Sequence, residues 1–367
     1  MRVTQNMMIN SSIRWIQKQT EKLNDISTVV AAGKEVNKPS DDPAAAGQIL
    51  EDRMTISKYA KYIATISETD TWIETANSTL DAIDSLLETA QDIIESKDSW
   101  DDESYLEQLE SIYEQVVDLA NTKLNSTYLY GGDKALTAPY ADEVDVSGGT
   151  ADSVVFALAD SAATVTIEIT DSAGNVVRTL TVSGGSEGTN TVTWDGRDDS
   201  GTLLADGIYD FTVSATDASG DAVAAYAAYR GDTGGKEVLI GENSTVTLKN
   251  DGSIFSGALS ALSQAITALR NSSYTDDMAS SLSDALESAM QKIKTEQVAL
   301  SNVSSQLETA DVRLDKLTLA LENEINTIEV GDTTTAAVEL EAQTTAREVT
   351  LKTVASVLKM SKLSDYV

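Results

Sequence analysis

Ile49, Ile56 and Ile63 recur every seven residues, and Ile66, Ile73, Leu80, Leu87 and Ile94 continue at the same period. A seven-residue repeat sustained this far favours a coiled-coil-like seam over an ordinary globular helix. Toward the other end Leu282, Leu286, Ala289, Ile293, Leu300, Val303, Leu307, Ala310, Leu314, Leu317 and Leu321 keep the same 3-4 rhythm, with Glu296 as the polar interruption. Shorter seams flank these long ones. Ile9, Ile13, Ile16, Thr20, Leu23, Ser27 and Val30 lead to Gly33, a natural helix stop, and a last helix after Gly331 carries Leu340, Leu351, Val354 and Leu358. Each end therefore reads as a short seam, a break and a long seam, in opposite chain order. The two ends are expected to run side by side as one antiparallel helical rod.

The breaks have their own chemistry. In Lys38-Pro39-Ser40-Asp41-Asp42-Pro43, Ser40 reads as the N-cap of the long helix, Asp41 and Asp42 suit its positive end, and Pro43 falls in the first turn. A loop at 98–102 precedes another helix containing Leu106, Leu109, Ile112, Tyr113, Val116, Val117 and Leu119. The pairs Asp41/Asp42 and Asp101/Asp102 sit at helix starts, where capping explains them better than catalysis. From about 145 to 225 the period changes to two: Val165, Ile167, Ile169; Val176, Val177; Thr191, Val192, Thr193; Phe211, Val213. Turns such as Ser172-Ala173-Gly174-Asn175 and Asp198-Asp199-Ser200-Gly201 separate these runs at roughly ten-residue spacing, which is the pattern of a small β-sandwich. Trp194 is expected in its core. Asp195, Asp198 and Asp199 do not match a calcium-loop spacing and read as a solvated turn. All three prolines, Pro39, Pro43 and Pro139, lie at boundaries.

The chain has neither His nor Cys, so the usual neutral-pH base, the thiolate nucleophile and the commonest transition-metal ligands are missing. No phosphate-binding loop or nucleophile elbow is present. The expectation is a non-enzyme with no cofactor, no metal and no catalytic residue. A net charge of −33 argues against nucleic-acid and anionic membrane partners. Yet residues 1–40 hold six basic against three acidic residues, and 343–367 hold four against two. Chance in short windows is one account; the sharper one places both ends in a single structural layer. Arg2 is followed by Thr4, Gln5, Asn6 and Asn10 rather than an apolar run, so no cleavable secretory signal is read at the start.

Gly33-Lys34-Glu35-Val36-Asn37-Lys38-Pro39-Ser40-Asp41-Asp42-Pro43 is similar to a segment of the flagellar hook–filament junction family, a flagellin-like group. Tyr128-Leu129-Tyr130-Gly131-Gly132 with Thr137-Ala138-Pro139-Tyr140 resembles that family's hairpin. Tyr229-Arg230-Gly231-Asp232-Thr233-Gly234-Gly235 resembles the point where the family resumes after its variable insertion, and Ser361-Lys362-Leu363-Ser364-Asp365-Tyr366-Val367 its ending. Within the insertion, Val176 to Leu180, Trp194 to Gly201 and Asp206 to Phe211 resemble the immunoglobulin-like domain of the hook-capping protein.

The resemblance implies a mainly α fold with an inserted all-β immunoglobulin-like sandwich. Its parts would be an inner-layer helix over 1–40, rod helices and hairpin over 41–142, the sandwich over 143–227, a strand segment and return helix over 228–330, and a second inner-layer helix over 331–367. It also implies export to the flagellum with a chaperone, self-association in a ring or tube layer, and neighbours in the inner hook-associated protein and flagellin. Ile9, Ile13, Ile16, Leu23, Leu351, Val354 and Leu358 would form the assembly seam. A minor flagellin, or an adhesin or glycan-binding module acting through the β insertion, are the alternatives.

Overall fold

The computed structural model describes residues 5–96 and 103–364, with side chains of a few residues near the two ends outside that description. The chain divides into two units: residues 1–63 with 311–367, and residues 64–310. Helices α2 (Pro43–Glu95) and α5 (Asp276–Glu329) contribute to both.

In the first unit, α1 (Gln5–Ala32) and α6 (Thr333–Ser364) pack against each other, tied by an ion pair of 2.9 Å from Lys22 to Glu339. Helix α1 ends because Gly33 takes a left-handed φ of +70° and closes the last turn with a bond from its N–H to Val29 O. The start of α2 corrects the sequence reading. Asp42, not Ser40, is the cap: its Oδ1 accepts from the N–H groups of Ala44 and Ala45 at 2.9 and 3.1 Å. Asp41 instead accepts from Asn37 and Lys38, folding the preceding turn back on itself. Pro43, with its pre-set φ and no N–H to satisfy, is the first helical residue and places the cap directly before it.

The second unit holds the dense core. Ile66, Ile73, Leu80, Leu87 and Ile94 of α2 and Leu282, Leu286, Ile293, Leu300 and Leu307 of α5 are all buried. Polar rungs set the antiparallel register: Ser304 to Asp70, Gln297 to Asp81, and Ser283 to both Gln91 and Glu95. In the same unit α3 (Glu103–Ala120) and α4 (Ser256–Arg270) pack against each other. Helix α4 is absent from the sequence reading, which ran a strand segment directly into the return helix. Together with the helical turn before it, as Gly252–Arg270, it is the one segment among the described residues apolar and long enough to pass for a membrane span. Its Leu259, Leu262, Ala258 and Ala265 are fully buried in this unit, so its apolarity serves the core. The loop expected at 98–102 lies outside the described residues.

Two short hairpins, β1 (Lys123–Leu124) with β2 (Thr127–Tyr128) and β12 (Gly235–Gly241) with β13 (Ser244–Lys249), flank an all-β insertion. Strands β3 (Glu143–Ser147), β4 (Thr150–Ala151), β6 (Ala162–Thr170), β7 (Val176–Gly185) and β9 (Gly207–Thr216) form one sheet in the order β4-β3-β9-β6-β7, with β10 (Ala222–Val223) also on β9. Strands β5 (Val154–Leu158), β8 (Gly188–Val192) and β11 (Ala225–Ala227) form the other, in the order β11-β5-β8. Alternate residues of both sheets point inward, so Val165, Ile167, Ile169, Phe156, Leu158 and Phe211 share one core. Trp194 closes it, edge-on to Tyr209 and donating from Nε1 to Arg197 O. Val192 and Val213 are only partly buried at its margin.

One turn design recurs three times in the insertion, at Asp171-Gly174, Asp198-Gly201 and Asp217-Gly220. Each Asp accepts through Oδ1 from the N–H two and four residues on, and each Gly sits at a φ of +81° to +91° that a side chain would oppose.

Candidate assembly surface

The motif at 33–43 forms a joint in the first unit. Lys34 pairs as a β-bridge with Val330, Glu35 N–H donates to Glu329 O at 2.7 Å, and Gly331 N–H reaches Gly33 O. At its centre Glu329, only 6% exposed, accepts from Lys34 Nζ at 2.5 Å and from Arg53. A buried carboxylate needs such partners, because desolvation alone would cost several kcal/mol. Sequence reasoning singled out Lys34 but missed Glu329 and Arg53; nothing in the pattern around Glu329 separates it from its many acidic neighbours. Gly33 is half-buried, while Pro39, Ser40, Asp41, Asp42 and Pro43 are exposed.

Along α1, Ile16 and Leu23 are half-buried and Ile13 is 47% exposed; along α6, Val354 is half-buried and Leu351 is 44% exposed. The side chains of Ile9 and Leu358 lie outside the described residues, as do those of the 361–367 motif. The face of α6 that is partly covered runs through Leu340, Gln343, Ala346, Thr350 and Val354, and Leu351 falls outside it. This pair also buries polar atoms without partners, Gln19 Oε1, Gln343 Oε1 and Arg347 Nε. Among the described residues, the buried apolar side chains of the first unit are Ile49, Tyr62, Leu314 and Ile325. Among the described residues, most of the exposed large apolar side chains belong to this same unit, Met7, Trp15, Leu50, Met54 and Leu319 among them. A thin core with an apolar exterior is a surface that gains by being covered.

The other motifs converge in the second unit, where the chain enters and leaves the sandwich. Tyr140 and Tyr229 form a β-bridge, and Arg230 N–H donates to Pro139 O at 2.8 Å. Tyr140 is fully buried and its hydroxyl donates to Gly252 O at 2.6 Å; Tyr130 donates to Ala76 O; the single Tyr229 hydroxyl proton lies within reach of both Asp232 O and Tyr130 O. Burial pushes the Tyr130 and Tyr140 phenols well above their ordinary range and Tyr229 up to about 12, so all three stay neutral donors. A Cβ on Gly252 would sit 2.6 Å from Tyr130 O, which explains a glycine there. These residues form a clasp, and their role is structural.

No group of three or more acidic residues among those described is placed to hold a metal. Asp198 spends its Oδ1 on Ser200 and Thr202, and these bonds hold its carboxyl below the usual range. A cleft of about 550 Å³ lies between the sandwich and helices α3 and α4, lined by Tyr113, Asp142, Tyr226 and Arg270 among others. Tyr113 is spent on Ala227 N–H, and Arg270 on Glu110. The cleft shows no nucleophile paired with a base.

The family model of the bacterial flagellin N-terminal helical region matches residues 3–135, and that of the FlgD Ig-like domain matches 141–219. Flagellar hook-associated protein 3 of Escherichia coli strain K12 is 26% identical over 160 residues, covering 42% of this chain and 50% of that protein. Over that stretch this chain is similar to flagellar hook-associated protein 3. The corresponding protein of Salmonella typhimurium is 28% identical over 146 residues, covering 38% of this chain and 46% of its own length. The chain thus spans about half the length of the curated relatives it matches. A solved structure of a putative flagellar hook-associated protein from Vibrio parahaemolyticus aligns at a TM-score of 0.52 and 14% identity, covering 79% of this chain and 100% of that one, a likeness of fold. Along the chain the FlgD Ig-like match follows the flagellin-type match, and the helices α4, α5 and α6 come after it.

Proposed function

We propose that this chain is a structural component of the bacterial flagellum that joins hook to filament and acts by packing rather than by catalysis. The observation that carries the reading is a chain similar to hook-associated protein 3 whose terminal unit has few buried apolar residues and an apolar exterior. Such a unit is stabilised by neighbours more than by its own core. On this reading the protein is exported to the flagellum, held beforehand by a chaperone. It then self-associates in a ring or tube layer between the inner hook-associated protein and flagellin. The sandwich is the insertion that this arrangement carries, and the clasp anchors it.

Immunogold labelling of intact flagella tests the proposal. A label confined to the base of each filament is expected, and cells lacking the protein should shed flagellin into the medium. A second reading, a minor flagellin, is favoured by the flagellin-type match over residues 3–135. Label spread along the filament would select it and overturn the junction assignment.

A further inference from the structure

Among the described residues, every side chain of α1 and α6 keeps part of its surface in solvent, and the buried side chains of the first unit lie on α2 and α5. Burial therefore stops where the two breaks meet, and α1 with α6 forms a two-helix arm beyond them. The chain crosses into this arm twice, after α1 and before α6. Gly33 turns the first crossing at a φ of +70°, with nothing within 4 Å of where a Cβ would sit, so this turn has room around it. Gly331 is the opposite case. A Cβ there would lie 3.2 Å from Glu35 N and 3.2 Å from a Val29 methyl, so the second crossing is pressed onto the first. With the bridge of Lys34 to Val330 between them, neither crossing changes direction without the other.

Glu329 ties the paired crossings to the long helices. Its carboxylate holds Lys34 from the first crossing and Arg53 from α2, and its side chain is 8% exposed against 45% and 55% for the two cations. We infer that the α1/α6 arm moves as one body about this joint, and that Glu329 is the lock that holds it in one direction. Gly33 and Gly331 form the pivot, since a hinge needs only a few residues that absorb the backbone change. The ion pair of Lys22 with Glu339 keeps the two helices together as the arm turns. Loss of the carboxylate releases both cations to water, where half-exposed side chains are readily hydrated, while nothing inside the arm is broken. The lock thus sets where the arm points and leaves unchanged the face it presents. The inference concerns the isolated chain and stands apart from the junction reading.

The absence of native cysteine makes the test direct. Full-length protein is spin-labelled at Glu322→Cys with Lys352→Cys, a pair that spans the joint, and separately at Ser27→Cys with Lys352→Cys, a pair within the arm; all three positions are exposed. Pulsed dipolar spectroscopy of the dilute protein reads each distribution of distances. With the lock intact both should be narrow. Glu329→Ala should widen the 322–352 distribution by about twofold or more and leave the 27–352 distribution unchanged. Lys34→Gln, which leaves Arg53 on the carboxylate, should widen the first to a smaller extent, and Lys34→Arg should not; this series carries the same two comparisons should Glu329→Ala not fold. A 322–352 distribution that stays narrow without the lock, or is already wide with it, overturns the role of Glu329. Widening of both distributions means the arm comes apart, and overturns its motion as one body.

Discussion

Helix α2 passes through both units with one heptad pattern and two outcomes. On that seam Leu80 and Leu87 in the 64–310 unit are fully buried, whereas Ile56 and Ile63 in the terminal unit are half-buried, and off the seam Leu50 and Met54 there are mostly exposed. The difference is the number of neighbours. The larger unit also contains α3, α4, the two hairpins and the clasp, whereas the described residues of the terminal unit add to α2 the terminal helices and the end of α5. A sandwich core of thirteen buried residues sits in the larger unit, while the terminal unit leaves Gln19, Gln343 and Arg347 atoms buried without partners. One unit is thus finished within the chain, and the other carries surfaces still to be covered.

The largest effect should come from the finished unit. Trp194→Ala removes a ring packed on Tyr209 and should cost about 3–5 kcal/mol, read by denaturant unfolding of the full chain and by faster amide exchange in β6 and β9. A change near zero would break the contrast. Leu314→Ala is the matching truncation in the terminal unit, and we expect about 2–3 kcal/mol because a thin core collapses onto the gap. Its signature should be faster exchange in α1 and α6 with the sandwich unchanged; equal loss in both units would mean they unfold as one.

Asp42→Ala should cost about 1 kcal/mol by removing the cap of α2, whereas Ser40→Ala should leave the melt unmoved. The reverse order would restore Ser40 as the cap. At the start of α6, the Thr335 hydroxyl and the N–H groups of Thr335 and Thr334 hold the Asp332 carboxyl below its ordinary value. A depressed carboxylate stabilises above its unfolded pKa and loses that contribution as pH falls through the folded one. Helicity at the start of α6 should therefore fall on acidification into that range, and Asp332→Asn should abolish the pH dependence. The smallest effect on the monomer is expected at the surface awaiting a neighbour. Val354→Asp should shift the melt by no more than about 0.5 kcal/mol yet prevent incorporation into flagella, while Ser356→Asp, on the exposed side, should do neither. A Val354→Asp chain that assembles normally would remove α6 from the assembly surface.

Period, turn and cap are local, and the residues alone determined them: the heptads of α2 and α5, the two-residue alternation of the sandwich with Trp194 at its centre, the stop at Gly33, and the absence of any His or Cys chemistry. Each rests on groups a few positions apart, where backbone geometry decides the outcome. Even there Ser40 yielded to Asp42, because two candidate caps within three residues are separated only by which one the chain path presents to the free N–H groups. What the tertiary structure decided is non-local. Lys34 meets Glu329 across 295 positions, Tyr140 meets Gly252 across 112, and α4 is a buried element in a stretch that sequence treated as a connector. A seam marks which face of a helix wants cover, but cover depends on elements folded from distant sequence. For that reason the pattern could not distinguish the buried Leu314 from Leu317, three residues on and 41% exposed.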